Sequence, residues 1–144
     1  MAMAVGVHIL ADLYGVDSKI LSHIRPMKAL LDDTIKHAKL TKLSSDYYQF
    51  KPFGVSGVVF LAESHISIHT WPEYGLLTLD IYTCGAPESA DEAFKYIVHR
   101  LKPKAIDYRR IERGKNAPYQ EADIALPVQA QKPLGINTAT GFSP

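Results

Sequence analysis

The chain reads as an α+β domain, a two-layer sandwich with an antiparallel sheet on one side and helices on one of its faces. Three observations predict it. Apolar residues alternate with period two, with interruptions, across residues 41–83; two stretches with helical spacing flank that region; and each of those stretches has a single apolar stripe to bury. An antiparallel sheet and one-striped helices satisfy burial most simply as two layers. With 144 residues and 47% apolar composition there is material for one good core. We therefore expect a single domain over residues 1–114 and a partly irregular tail over 115–144, where Pro118, Pro127, Pro133 and Pro144 punctuate a segment without sustained period.

The elements come in order along the chain. Residues 5–13 alternate enough for a strand, and Gly15 with Asp17 supplies the turn that ends it. Asp17 or Ser18 can cap a helical segment starting there. Met27, Leu30, Leu31, Ile35 and Ala38 recur at helical spacing, with Pro26 suited to the first helical position. The period-two region is broken at Pro52-Phe53-Gly54 and at Pro72-Glu73-Tyr74-Gly75, which predicts three or four antiparallel strands. Ser89 and Glu92 have capping-box spacing ahead of Ala93, Phe94, Ile97 and Leu101, predicting a second helix. Residues 105–111 suit a last strand. Helices on one face leave the other open, and the aromatic residues of the strands (Tyr47, Tyr48, Phe50, Phe53, Phe60, Tyr82) suggest a dimer formed sheet to sheet.

A net charge of +1 from an even mix of signs gives no basic stripe, which argues against nucleic acid and anionic membrane surfaces as partners. A small molecule or another protein is the expected partner. The chain has no apolar stretch near the roughly 18 residues needed to span a bilayer and no leader pattern, so a cytoplasmic location is expected. A lone cysteine forms no internal disulfide, leaving Cys84 as a small buried apolar residue or a reactive thiol.

The run Ala62-Glu63-Ser64-His65-Ile66-Ser67-Ile68-His69-Thr70-Trp71-Pro72-Glu73 concentrates groups that folding does not require. On a strand, His65, Ser67 and His69 share one face and Ser64, Ile66, Ile68 and Thr70 the other, a rule that a turn at Glu63-Ser64 relaxes for Ser64. Polar decoration of an open sheet face is the simplest reading. A metal site using His65 and His69, completed by Glu73 or Cys84, is a second. It meets a geometric objection, because four strand residues at about 3.3 Å separate the histidines by roughly 13 Å. A serine hydrolase is a third, but the run has no Gly-x-Ser-x-Gly elbow, and Gly54-Val55-Ser56-Gly57 is one residue short of that spacing.

Three segments, Phe53-Gly54-Val55-Ser56-Gly57-Val58-Val59, the run from Ala62 to Gly75, and Leu79-Asp80-Ile81-Tyr82-Thr83-Cys84-Gly85, together resemble the short prokaryotic S-adenosylmethionine decarboxylases, which are self-processing pyruvoyl enzymes. The likeness runs from about Gly6-Val7-His8 to about Gly114. It implies a pyruvoyl cofactor made from Ser64. Ser64 would attack the Glu63 carbonyl, the amide would become an ester, and loss of the Ser64 α-proton would break the chain between 63 and 64. His69 matches the base for that proton and Ser56 the residue assisting processing, both expected near Ser64 on neighbouring strands. In the decarboxylation, where the substrate amine forms a Schiff base, Cys84 matches the proton donor. Phe50 matches a ring stacked on adenine and Glu73 a carboxylate on the ribose hydroxyls. No metal is implied. The implied activity is conversion of S-adenosylmethionine to its decarboxylated form for spermidine and polyamine biosynthesis, by a homodimer whose sites borrow residues across a sheet-to-sheet interface.

One position departs from the family pattern: Tyr48 stands where many bacterial members carry histidine. Relatives with the same self-processing core act on arginine or ornithine, and Ser64 and Cys84 serve the shared chemistry in all of them. A non-catalytic or metal-binding dimer that has kept the motif is the competing class.

Overall fold

The computed structural model describes residues 5–118. In chain order the elements are β1 (Gly6–Tyr14), α1 (Ser18–Leu21), α2 (Ile24–His37), β2 (Lys42–Gln49), β3 (Val55–Leu61), β4 (Ser64–Trp71), a 3-10 turn (Pro72–Tyr74), β5 (Leu76–Cys84), α3 (Pro87–Leu101) and β6 (Ala105–Arg113). The strands form one six-stranded sheet in the order β2-β3-β4-β5-β1-β6, antiparallel throughout. Helices α2 and α3 pack side by side across one face, which is the predicted α+β two-layer arrangement.

Alternation sets which face each strand buries. Ile66, Ile68 and Thr70 of β4 are buried beneath the helices, as are Leu77, Leu79 and Ile81 of β5, while His65, Ser67 and His69 stand on the opposite face. Met27, Leu30, Leu31 and Ile35 of α2 and Ala90, Ala93, Ile97 and Leu101 of α3 complete the core. Ion pairs at the periphery tie α3 to α2 and β6 to α3. Arg100 reaches Asp33 at 2.9 Å, and Arg110 of β6 grips both carboxylate oxygens of Asp91 at 2.9 and 3.1 Å.

Several sequence expectations need adjustment. Four strands fill the period-two region, within the three or four expected. Asp17 does cap α1, its carboxylate accepting from the Lys19 N–H at 2.9 Å. Pro26 lies third in α2, still in the first turn, where the missing N–H leaves no intrahelical bond unmade. Ser89 and Glu92 form no capping box, because α3 starts earlier: Pro87 occupies its first position and Ala86 is the cap, without a side-chain bond. The last strand runs two residues further than expected, to Arg113. Of the tail expected over 115–144, residues 119–144 lie outside the described residues.

Among the described residues no helix covers the second face of the sheet, and none is long and apolar enough to cross a membrane. Leu10, Tyr48, Phe60, Trp71 and Ile111 are between 37% and 63% exposed there. Tyr47, expected among the open-face aromatics, faces the helices instead and lies over Gly57, its cross-strand partner.

Candidate active site

The residues singled out in the sequence fall into two groups at opposite ends of β4. The first surrounds the tight turn Ala62-Glu63 between β3 and β4. The Glu63 carboxylate accepts from the backbone N–H of Thr41 at 3.0 Å and from its hydroxyl at 3.1 Å, while the Ala62 N–H donates to the Thr41 carbonyl at 2.9 Å. The turn is thereby clamped to the start of β2. The Glu63 carbonyl points the other way and accepts the Cys84 N–H at 2.8 Å. Ser64 follows at φ 144°, a region that non-glycine residues avoid, at a typical cost of about 1–3 kcal/mol. Cys84 ends β5 one residue beyond Thr83, the β5 partner of Ser64, and it is exposed. Exposure removes the reading of Cys84 as a buried apolar residue.

A polar chain extends from this turn across the open face. The Ser64 hydroxyl lies 3.4 Å from His65 Nδ1, and His65 Nε2 lies 4.0 Å from an Asp80 carboxylate oxygen. The other Asp80 oxygen contacts His8 Nε2, and Arg113 donates to His8 Nδ1 at 2.6 Å. Sequence reasoning missed His8, Asp80 and Arg113. Their signal was weak, since each is one polar residue at an outward position of a different strand, and only the order β4-β5-β1-β6 makes them neighbours.

The second group sits at the far end of β3 and β4. Ser56 and His69 are direct cross-strand partners, with Ser56 Oγ 2.7 Å from His69 Nδ1. Phe50, Ser56, His69, Trp71 and Glu73 line a concavity of about 250 Å³, and Tyr48 joins Ser56 and His69 around a neighbouring one of about 350 Å³. Two polar residues, the buried Thr70 and the half-buried Gln49, shape this end. Thr70 accepts from the Val55 N–H and donates to the Leu21 carbonyl, fixing the end of β4 against α1. Gln49 donates to the carbonyls of Ser22 and Gly54 and accepts from the Ile24 N–H, closing the loop that carries Phe50.

The expectation that Ser56 and His69 lie near Ser64 is therefore corrected for a single copy of the chain. Ser64 and His69 are five residues apart on one extended strand, which separates them by roughly 16 Å. The same extension keeps His65 and His69 from sharing a metal ion, as expected. Phe50 and Glu73 lie with His69, not with Ser64.

Comparison with known proteins agrees with this architecture. The S-adenosylmethionine decarboxylase family profile matches residues 7–114. The S-adenosylmethionine decarboxylase proenzyme of Thermoplasma volcanium is 59% identical over 114 residues, covering 79% of this chain and 88% of that one. The proenzyme of Archaeoglobus fulgidus is 45% identical over 112 residues, 78% of this chain and all of that one. The crystal structure of the Aquifex aeolicus adenosylmethionine decarboxylase superposes with a TM-score of 0.77 at 56% identity, covering 78% of this chain and 93% of the other. A Trypanosoma brucei AdoMetDC monomer shares the fold alone, with a TM-score of 0.51 at 13% identity over 71% of this chain and 44% of its own. The chain belongs to the S-adenosylmethionine decarboxylase family.

Proposed function

We propose that the chain cuts itself between Glu63 and Ser64 and then decarboxylates S-adenosylmethionine, as a homodimer in which each site joins the Ser64 end of one copy to the His69 end of the other. One observation carries this reading: a serine held at φ 144° directly follows a carbonyl already bound by a backbone donor. Attack by the Ser64 oxygen converts that carbonyl to an oxyanion, and the Cys84 N–H at 2.8 Å stabilises the developing charge. Strain at Ser64 is relieved when the peptide bond becomes an ester. His69, oriented by the Ser56 hydroxyl at 2.7 Å, removes the Ser64 α-proton of the second copy. The roughly 16 Å separation within one copy and the uncovered apolar face support assembly across two.

A pyruvoyl group at position 64 would supply a carbonyl that takes up the substrate amine and an electron sink for the pair left behind as CO2 departs. The residues around the position suit it: Cys84 is exposed beside the turn and presents a thiol proton to the product carbon. From the second copy, the Phe50 ring offers a stacking surface for a purine and the Glu73 carboxylate accepts from sugar hydroxyls. The test is release of labelled CO2 from S-adenosylmethionine, arginine and ornithine side by side. Release from S-adenosylmethionine alone is expected; release from arginine or ornithine instead contradicts the substrate assignment.

A further inference from the structure

Self-cleavage requires two proton transfers at different atoms, and His69 accounts for the second. Ser64 Oγ must also lose its proton as it attacks Glu63. We propose that His65 takes that first proton, and that Asp80, His8 and Arg113 hold its ring in position for the task; the inference rests on the self-processing reading and deepens it.

The geometry assigns the tautomers. Arginine has only donors, so Arg113 at 2.6 Å requires an unprotonated His8 Nδ1 and leaves the His8 proton on Nε2, directed at Asp80. The second Asp80 oxygen lies 4.0 Å from His65 Nε2, beyond hydrogen-bond distance, and its negative charge favours the proton on that nitrogen. His65 Nδ1 is left with its lone pair toward Ser64 Oγ at 3.4 Å. Serine, imidazole and carboxylate thus occur in the order that activates a hydroxyl nucleophile, within one copy of the chain. The 3.4 Å contact is longer than a formed hydrogen bond, as catalytic contacts often are before the reacting groups close.

The step balances. Ser64 Oγ bonds to the Glu63 carbonyl carbon as its proton passes to His65 Nδ1, and the carbonyl oxygen carries the negative charge against the Cys84 N–H. The Glu63–Ser64 C–N bond then breaks and the Ser64 nitrogen receives the proton from His65. An ester and a free amine result, with no atom gained or lost.

His8, His65 and Asp80 present ligand atoms within 4.8 Å of one another, the spacing of a metal site. The tautomers oppose that use. The His8 nitrogen facing Asp80 already carries a proton, and the Arg113 guanidinium beside the same ring repels a cation.

Hydroxylamine, which cleaves esters and spares amides, separates the two histidines. His65→Ala and His65→Gln precursors are expected to remain amide, giving no hydroxylamine-dependent fragments and forming ester at least about 10²-fold more slowly than the native chain. Added imidazole is expected to restore ester formation in His65→Ala, which loss of fold would not permit. His69→Ala, by contrast, accumulates ester that hydroxylamine cuts. Asp80→Asn is expected to slow ester formation about tenfold through the ring it positions. Ester formation at the native rate in His65→Gln overturns the proposal while leaving self-processing intact; a native chain that never cleaves overturns the self-processing reading instead.

Discussion

The backbone N–H of Cys84 donates to the carbonyl oxygen of Glu63 at 2.8 Å while its thiol is exposed, so the proposed mechanism gives one residue two roles, through its amide before cleavage and its thiol afterwards. The two roles separate on substitution. Cys84→Ala keeps the amide and loses the thiol, so cleavage is expected to proceed near the native rate while decarboxylation falls by about 10²–10⁴-fold. A denaturing gel follows the first and labelled CO2 the second. Equal turnover in the variant removes the thiol from the reaction.

The separation of Ser64 from the Ser56–His69 pair makes a prediction about mixed dimers. Ser64→Ala and His69→Ala are each expected to abolish release of fragments as homodimers. If the proposed dimer forms, co-expression is expected to give heterodimers in which the intact Ser64 of one copy meets the intact His69 of the other, and cleavage of the His69→Ala chain is expected to return. Were one copy sufficient for its own cleavage, the mixture would stay whole.

Tyr47 and Gly57 test the packing that carries β2. A Cβ at position 57 would stand 2.5 Å from Tyr47 Cδ2, so Gly57→Ala must displace the ring and is expected to cost about 1–3 kcal/mol in denaturant unfolding. An unchanged unfolding midpoint contradicts this.

Burial, and then the negative charge of Asp32, push the Tyr47 hydroxyl up to about 12. The unfolded chain ionises it near 10, so between about 10 and 12 the folded state holds the proton that the unfolded state has released. Stability contributed by this group is full below about pH 10 and falls as pH rises through that window. Tyr47→Phe is expected to remove its share of the alkaline loss, and to leave neutral stability unchanged or slightly higher, because the hydroxyl is buried without a partner among the described residues. An identical alkaline profile in the variant contradicts the assignment.

The sheet was legible because period two and period 3.6 are local: Ile66, Ile68 and Thr70 announce their face without knowledge of any other strand. Helix α3 was legible in existence but not in its start, since Ser89 offered a capping pattern that Pro87, two residues earlier, overrode. At the site, the motif around Ser64 and Cys84 was visible as residue types. The distance from Ser64 to His69 was available from strand rise, yet the expectation that they meet overlooked it. The chain from His65 to Arg113 was invisible for a different reason. Its members lie on four strands, and their adjacency depends on β1 inserting between β5 and β6, a long-range pairing that no local pattern encodes.

Intact-mass measurement of the purified native chain beside Ser64→Ala tests self-processing most directly. The native protein is expected as two fragments, residues 1–63 and a remainder whose first residue is a pyruvoyl group in place of Ser64, and Ser64→Ala as one uncut chain. A native protein that stays whole, or a Ser64→Ala protein that yields the same two fragments, contradicts it.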